Sequence, residues 1–149
     1  MNKFKIYMDC CCFGRPFDDI SQDKIRIERE AVLTIISNCE AGIWNVFQSD
    51  ALTDEISRIV NPIKMQKVLI LYSSATMNIE LNDVIIYRAS ELIKSLNIGS
   101  FDALHLASAE YACADIFLTT DKKLIHRTRS LGSKIRVANP VTWLMEVIL

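Results

Sequence analysis

The stretch SFDALHLASAEYACADIFLTTDKK, residues 100–123, decides the fold. It opens with the helical pattern FDALHLASAEYA and passes into DIFLTT at 115–120, an apolar run typical of a buried strand. A basic segment with helical spacing follows. A buried strand between two helices indicates the alternating order of a parallel α/β sheet. Asp102 lies at the start of the first helix and Asp121 directly follows the strand.

The same alternation runs through the rest of the chain. Strands are predicted at residues 4–8, 43–48, 75–81, 115–120 and 134–140. Helices are predicted at residues 22–40, 49–60, 62–72, 82–96, 100–112, 122–130 and 140–148. Residues 10–21 predict a loop, because Gly14, Pro16 and the Asp18-Asp19 pair interrupt any pattern. This order predicts one α/β domain over residues 1–149, a three-layer α/β/α fold with strand 4–8 central in a parallel sheet.

Composition excludes several classes of protein. The chain has 149 residues, of which 50% are hydrophobic and 23% charged, and its formal net charge is −1. A general salt-dependent nucleic-acid binder would usually be strongly basic. No apolar stretch approaches the roughly 20 residues that cross a bilayer, and the N-terminal apolar run is too short for a signal peptide. Five cysteines, an odd number, favour a reducing compartment, so we expect a cytoplasmic protein without membrane contact.

Four acids stand where strand-like runs give way to helix-like runs. They are Asp9 after FKIYM, Glu55 in SDALTDEIS, Asp102 and Asp121. Because the carboxyl ends of parallel strands gather at one edge of a sheet, we expect these side chains to meet. Carboxylates that meet repel one another, which raises the pKa of at least one. They stay ionised together when Mg²⁺ or Mn²⁺ lies between them, so the pattern predicts a metal-dependent phosphodiesterase site.

Each acid also has a structural explanation. Asp102 falls in the first turn of its helix, where the helix dipole stabilises a carboxylate by about 0.3–1 kcal/mol. Asp121 is placed to start the next helix, and Glu55 stands beside Asp54 as a solvated helix charge would. Asp9 is harder to explain in this way, because it ends an apolar strand. Each acid taken alone is more simply explained by a structural role. All four acids in this order and context favour a functional site.

The segments IYMD at Asp9, SDALTDE at Glu55, DALHLASA at Asp102 and LTTD at Asp121 resemble the PIN-domain family. These small nucleases include the toxins of many toxin–antitoxin pairs. The resemblance covers almost the whole chain, and DALHLASA with LTTDKKL is its specific part. It implies a PIN-like fold and a Mg²⁺- or Mn²⁺-dependent endoribonuclease. The four acids would be catalytic and would hold one or two ions, while Thr119 would orient an acid or a metal-bound water.

The resemblance also implies partners. RNA would be the substrate, and a small antitoxin would bind the protein as the toxin of a type II pair. Independently of the resemblance, the apolar stripes at 65–72 and 85–96 are most simply core, and any excess of them would form a homodimer surface. The alternative is a non-catalytic PIN-like module that binds RNA or protein. A module of that kind would have no need of four mutually repelling carboxylates.

Cys11 departs from the family pattern, since PIN domains commonly place a small polar residue two positions after the first Asp. RPFDD at 15–19 resembles a subgroup of the family. The run Cys10-Cys11-Cys12 is interpreted as core packing, because adjacent cysteines point in different directions and no C-x-x-C pair completes a zinc site. His105, three residues after Asp102, is either a general acid or a core histidine.

Positive charge is concentrated behind Asp121. Arg15, Lys123 and Arg127 are candidate phosphate contacts, and a solvated helix face is an equally good explanation for the last two. The basic concentration consists of Lys122, Lys123, His126, Arg127, Arg129, Lys134 and Arg136.

Other phosphate chemistries fit less well. A haloacid dehalogenase-type phosphatase also begins with a strand-end Asp, but it needs a second Asp where Cys11 stands. A receiver domain needs an acidic pair ahead of its phosphorylated Asp, which is not the order here. With four glycines and neither a Walker-A nor a G-x-G-x-x-G loop, nucleotide binding is poorly supported.

Overall fold

The computed structural model describes residues 3–130 and 134–148. Within these residues the chain alternates strands and helices. The strands are β1 (Lys5–Met8), β2 (Asn45–Ser49), β3 (Met77–Ile79), β4 (Ile116–Leu118) and β5 (Val137–Ala138). The helices are α1 (Cys10–Gly14), α2 (Asp23–Glu40), α3 (Asp50–Ser57), α4 (Pro62–Tyr72), α5 (Asp83–Leu96), α6 (Ser100–Tyr111), α7 (Lys122–Ser130) and α8 (Pro140–Ile148). A 3-10 turn at Arg15–Phe17 follows α1.

The strands form one parallel sheet in the order β3-β2-β1-β4-β5. The central strand β1 pairs Ile6 with Val46 of β2 on one side and with Ile116 of β4 on the other. The connection from β1 runs to β2, and the chain later returns to β4 on the opposite side of β1. The sheet therefore has its topological switch point between β1 and β4, where open α/β sheets bind ligands.

Side-chain caps fix where several helices begin. Asp9 accepts a hydrogen bond from the Cys12 amide at the start of α1, and Ser49 accepts one from the Leu52 amide at the start of α3. Asn82 does the same at the start of α5. Each polar side chain satisfies an amide that has no partner inside its own helix, and each ties a helix start to the end of the preceding strand or loop.

The core lies on both faces of the sheet, which the helices flank in the three-layer α/β/α arrangement. β1 is almost wholly buried, and the ring of Tyr7 stacks on that of Phe117 in β4 at 5.2 Å between centroids. α2 packs against α8, whereas α6 packs against α3 and α5. Among the described residues, no helix is both long and apolar enough to cross a membrane.

The predicted α/β/α fold with β1 at the centre of a parallel sheet is confirmed. The predicted loop at 10–21 is wrong at its start, because α1 and the 3-10 turn occupy residues 10–17. α1 has only five residues, too few for a periodic pattern, and it begins because Asp9 caps it. α6 begins without a side-chain cap: Gly99 is its N-cap and Ser100 is its first residue.

Candidate metal centre

Two of the four predicted acids follow neighbouring strands. Asp9 comes directly after β1, and Asp121 comes three residues after the end of β4. Met8 and Leu118 are paired in register, and the Asp9 amide donates to the Leu118 carbonyl at 3.1 Å. Parallel pairing therefore brings both acids to the switch point of the sheet.

The other two acids arrive on helices. Glu55 lies in α3, which begins at the end of β2, and Asp102 lies in the first turn of α6. The two helices pack against each other, and α3 also contacts β2. This packing faces Glu55 and Asp102 toward the same edge of the sheet as the strand-end acids.

One cavity of about 370 Å³ collects all four acids. Its lining also includes Cys10, Cys11, Asp18 and Lys64. Four carboxylates around one cavity supply the oxygen ligands that hard divalent cations prefer. The chemistry of this donor set fits Mg²⁺ or Mn²⁺, although metal binding by these residues stays a prediction.

Asp9 is the most buried of the four acids, with 5% of its surface exposed. Its Oδ1 accepts hydrogen bonds from the Cys12 amide at 3.2 Å and from Cys11 Sγ at 2.7 Å. Burial raises the pKa of Asp9 well above its usual value, and the neighbouring Cys11 adds to the rise. The metal-free site therefore holds a proton on Asp9 more tightly than water does.

Asp102 shows the same tendency. Burial raises the pKa of its carboxyl, His105 opposes the rise, and the charges of Asp121 and Glu55 increase it. The expected mutual repulsion of the acids is present here, but burial is the larger cause. Asp102 accepts no hydrogen bond from any residue that the structure describes, so its oxygens remain open toward the cavity.

Asp121 combines a structural role with a place in the cavity. Its Oδ1 accepts from the amides of Lys123 at 2.9 Å and Leu124 at 3.3 Å, which caps α7. Its own amide donates to Thr119 Oγ1 at 3.1 Å. Thr119 is fully buried, and it therefore holds the turn that carries Asp121 at the cavity.

Glu55 is held by a buried chain of polar groups. Its Oε1 lies 2.8 Å from His105 Nε2, and His105 Nδ1 lies 2.7 Å from the Tyr7 hydroxyl. The Tyr7 hydroxyl is also 2.7 Å from Ser49 Oγ, which caps α3. His105 and Tyr7 are fully buried, whereas 31% of the Glu55 side chain is exposed. This series of hydrogen-bonded groups ends at the Glu55 carboxylate, which lines the cavity.

The three consecutive cysteines differ in environment. Cys12 is buried and packs in the core, as the sequence indicates for the run. Burial raises the pKa of Cys10 to about 12. Hydrogen bonds, first with Cys12 and then with Asp9 and Thr120, lower the pKa of Cys11 to about 5 against the effect of burial. Cys11 is therefore the cysteine of the three whose pKa is lowered.

The predicted phosphate contacts lie outside the acidic cavity. Arg15 is mostly enclosed and pairs with Asp18 and Glu28, each at 3.0 Å. Lys123 is exposed on α7, and Arg127 donates to the Asn97 carbonyl. Their roles in substrate binding stay predictions, and the pairing of Arg15 disfavours one for that residue.

Much of the basic concentration lines a different, larger cavity of about 780 Å³. Its charged lining includes Lys122, His126, Arg129, Lys134 and Arg136. Arg136 is held there by Glu146 at 2.6 Å. We place the candidate site in the smaller cavity because the four acids line that one.

Some residues of the site are not apparent from the sequence. Lys64 brings a positive charge into the acidic cavity and pairs with Asp18 at 2.7 Å, yet in the sequence it is one lysine of an amphipathic helix. Tyr7 looks like an ordinary strand residue, and its contact with His105 spans 98 positions. The spacing of Asp102 and His105, three positions apart on one helix face, indicates from the sequence that His105 lies near the site, but it gives no sign of Tyr7.

The sheet order and the acidic cavity at its switch point define an α/β protein with a site suited to a divalent cation. The family model of the PIN domain matches residues 14–130. The chain therefore belongs to the PIN-domain family, whose members are generally metal-dependent nucleases. The match contains Glu55, Asp102 and Asp121, whereas Asp9 precedes it and is placed at the site by the structure.

Solved structures show the same fold at low sequence identity. FitAcB from Neisseria gonorrhoeae is 15% identical, with 91% of this chain and 97% of that chain covered at a TM-score of 0.58. VapBC2 from Rickettsia felis, bound to a DNA fragment from their promoter, is 16% identical, with 90% and 98% covered at 0.57. PAE2754 from Pyrobaculum aerophilum is 11% identical, with 97% and 89% covered at 0.57. No curated protein matches the chain in sequence.

Proposed function

We propose that this protein is a metal-dependent endoribonuclease that uses Mg²⁺ or Mn²⁺. The observation that carries the proposal is the meeting of Asp9, Glu55, Asp102 and Asp121, from four separate segments, in one cavity. A structural explanation accounts for single acids, such as Asp121 as a helix cap. It does not account for the meeting of all four, and Asp102 lines the cavity without a hydrogen-bond donor among the described residues.

Asp9, Glu55, Asp102 and Asp121 would hold the metal. Bound there, a divalent cation supplies a water of lowered pKa and stabilises charge on a phosphodiester. Asp9 caps α1 and Asp121 caps α7, so amide hydrogen bonds orient both carboxylates before any ligand arrives. His105 holds Glu55 Oε1 at 2.8 Å and thereby orients the carboxylate. Thr119 fixes the backbone of Asp121 through its amide.

Membership of the PIN-domain family supports phosphodiester cleavage, and RNA is the substrate that we propose. Lys64 is the cation that the cavity itself offers to a phosphate group. Its ammonium is already paired with Asp18 at 2.7 Å, so phosphate binding would exchange one anion for another. Lys123 and Arg127 would add contacts outside the cavity.

We also propose that the protein is the toxin of a type II pair and binds a small antitoxin. FitAcB and VapBC2, which share its fold, are toxin–antitoxin proteins. Large apolar side chains on α4 and α5 lie open to solvent and would suit a protein partner: Ile63, Ile70, Val84, Ile86 and Tyr87. Co-expression with the product of the neighbouring reading frame tests this proposal. A stable heteromeric complex would support it, and a homodimer alone would assign the apolar surface to self-association.

The nuclease proposal is tested with purified protein, labelled single-stranded and structured RNA, and Mn²⁺ or Mg²⁺. Cleavage should require the metal, stop with EDTA and fall at least 100-fold in Asp102→Asn, because the variant loses an ionic ligand. Asp54→Asn is the matched control, since Asp54 is an exposed acid of α3 that pairs with Arg58. Equal activity of Asp102→Asn and Asp54→Asn would assign cleavage to a contaminant.

A non-catalytic module is the second candidate. It predicts that wild-type protein binds RNA or a protein partner without cleaving any RNA, in the presence or absence of metal. Absence of cleavage across a broad RNA panel, with metal binding demonstrated, would favour this candidate.

A further inference from the structure

Cys11 stands inside the candidate metal centre. Its sulfur lies 2.7 Å from Asp9 Oδ1 and 3.6 Å from Thr119 Oγ1, and the residue lines the cavity together with the four acids. Among the described residues, Asp9, Cys11 and Cys12 have potential ligand atoms within 4.8 Å of one another. Cys12 is fully buried and its sulfur is directed to the Leu118 carbonyl at 3.4 Å, so Cys11 is the cysteine of this group that lines the cavity.

The surroundings of the Cys11 sulfur are those of an acceptor. The Thr120 hydroxyl donates to it at 3.0 Å and the Thr120 amide approaches at 3.5 Å. On its other side the Cys11 thiol donates to Asp9 Oδ1 at 2.7 Å. One cation could therefore contact both the sulfur and the carboxylate oxygen, with the thiol proton released to solvent on binding.

We propose that Cys11 Sγ is a ligand of the metal, so that this centre binds thiophilic divalent ions such as Zn²⁺, Co²⁺ and Cd²⁺ more tightly than an all-carboxylate site would. The inference rests on the proposed function, because it adds a ligand to the metal centre described there. Thiolate is a soft donor that selects such ions, whereas carboxylates suit Mg²⁺ and Mn²⁺. The mixed donor set gives this PIN domain a metal preference different from that of four acids alone.

Cobalt reports directly on the donor atom. A thiolate bound to Co²⁺ gives a sulfur-to-metal charge-transfer band in the near ultraviolet, which carboxylate ligands do not give. The wild-type protein titrated with Co²⁺ should show this band, and Cys11→Ser should lose it while Mn²⁺ still raises its melting temperature. Cys113→Ser should keep the band, since Cys113 is exposed and outside the cavity.

Alkylation supplies a second measurement in the same samples. Iodoacetamide labelling followed by peptide mass spectrometry should show that Zn²⁺ protects Cys11 at least tenfold and leaves the labelling of Cys113 unchanged. Melting temperatures measure the preference of the site among metals. Cys11→Ser should lose most of the stabilisation by Zn²⁺ or Cd²⁺ and little of the stabilisation by Mg²⁺.

The outcomes separate the two proposals. Co²⁺ binding without a charge-transfer band, or a band that persists in Cys11→Ser, overturns the assignment of Cys11 and leaves the carboxylate metal site standing. Failure of Mn²⁺, Zn²⁺ and Co²⁺ to stabilise the wild-type protein overturns the metal site itself and this inference with it.

Discussion

Asp9 and Asp102 are acids of the site whose charged forms are disfavoured by burial. Both are acids whose pKa is raised chiefly by burial, so the metal-free native state holds their protons more tightly than the unfolded chain does. A divalent cation between them reverses this preference, because it attracts the charged form of each carboxylate. The site therefore links metal binding to stability through these two side chains.

This linkage predicts how the stability of the metal-free protein depends on pH. A carboxyl with a raised pKa in the folded state holds its proton more tightly there than in the unfolded chain. From about pH 3.9, the usual value for Asp, up to the folded-state pKa, the native state binds more protons. Asp9 and Asp102 should therefore make stability fall as pH rises through that window, with the loss complete above it. Urea unfolding with EDTA at a series of pH values measures this slope.

Metal binding should restore the stability that the metal-free protein loses as pH rises. At pH 7 and at a concentration 100 times its dissociation constant, Mn²⁺ should add about 2.7 kcal/mol to the free energy of unfolding. Asp9→Asn should lose most of this increment and be more stable than wild type in EDTA, since Asn still caps α1 without a buried charge. Asp54→Asn should respond to Mn²⁺ as wild type does. A wild-type protein indifferent to Mn²⁺ would contradict this prediction.

His105 is expected to act through Glu55, because its ring is fully buried and does not line the cavity. His105→Ala removes a buried ring and two hydrogen bonds, which should lower the free energy of unfolding by roughly 2–4 kcal/mol. Cleavage should fall about tenfold or more and the Mn²⁺ midpoint should rise. His105→Gln, which keeps a polar group near Glu55, should recover part of both. A folded His105→Ala with unchanged Mn²⁺ affinity would leave His105 as a packing residue only.

At the scale of elements, the start of α3 controls the position of Glu55. Ser49 ends β2 and caps α3, and its backbone is held by the Tyr72 hydroxyl, which accepts from the Ser49 amide at 2.9 Å and lies 3.2 Å from its carbonyl. Tyr72 is the last residue of α4 and also contacts Thr53 at 3.0 Å. Hydrogen bonds thus connect the start of α3 to both the sheet and α4, and these contacts set the position of Glu55.

Ser49 caps α3 and Asn82 caps α5, so removing each cap in turn tests whether the cap of α3 positions Glu55. Ser49→Ala should cost roughly 2–3 kcal/mol of stability, because it removes the α3 cap and one buried partner of Tyr7. It should also weaken Mn²⁺ binding, because Glu55 lies on α3 and would move with it. Asn82→Ala removes the α5 cap, should cost about 1 kcal/mol and should leave metal binding unchanged. Equal Mn²⁺ affinity in the two variants would show that the cap does not position Glu55.

Across the whole molecule, charge is distributed unevenly although the formal net charge is only −1. The acidic cavity contains one lysine, whereas much of the basic concentration lines the other cavity. An RNA strand at the acids would therefore meet repulsion that metal and Lys64 must offset locally. Long-range attraction by the protein as a whole contributes little.

Lys64 should accordingly govern RNA capture. Lys64→Gln should raise KM and reduce the slope of log KM against log salt by about 0.7, the value for one phosphate contact with a single strand, while kcat changes little. Lys67→Gln, an exposed change on the same helix, is the control and should leave both unchanged. Lys123→Ala and Arg127→Ala measure the contribution of α7. A slope unaffected by Lys64→Gln would remove this residue from the substrate path.

Hydrophobic patterning in the sequence was sufficient to predict the order of strands and helices and the central place of β1. DIFLTT predicts a buried strand, and Ile116–Leu118 within it form β4. Helices long enough to show apolar periodicity, such as α2 and α5, are predicted near their true ends. Parallel topology gathers strand ends at one edge. The approach of Asp9 to Asp121 therefore followed from the order of elements, without knowledge of any side-chain contact.

Tertiary structure decided what joins residues distant in the chain. The five residues of α1 carry no periodic signal, and the contact of His105 with Glu55, 50 positions apart, depends on how α6 packs on α3. The Thr120 donors reach Cys11 across 109 positions through the pairing of β4 with β1. Sequence periodicity reports whether a side chain faces the core or the solvent, because burial is set locally by the helix or strand repeat. The partner that a buried polar group finds there is set by packing between elements, which a single sequence does not encode locally.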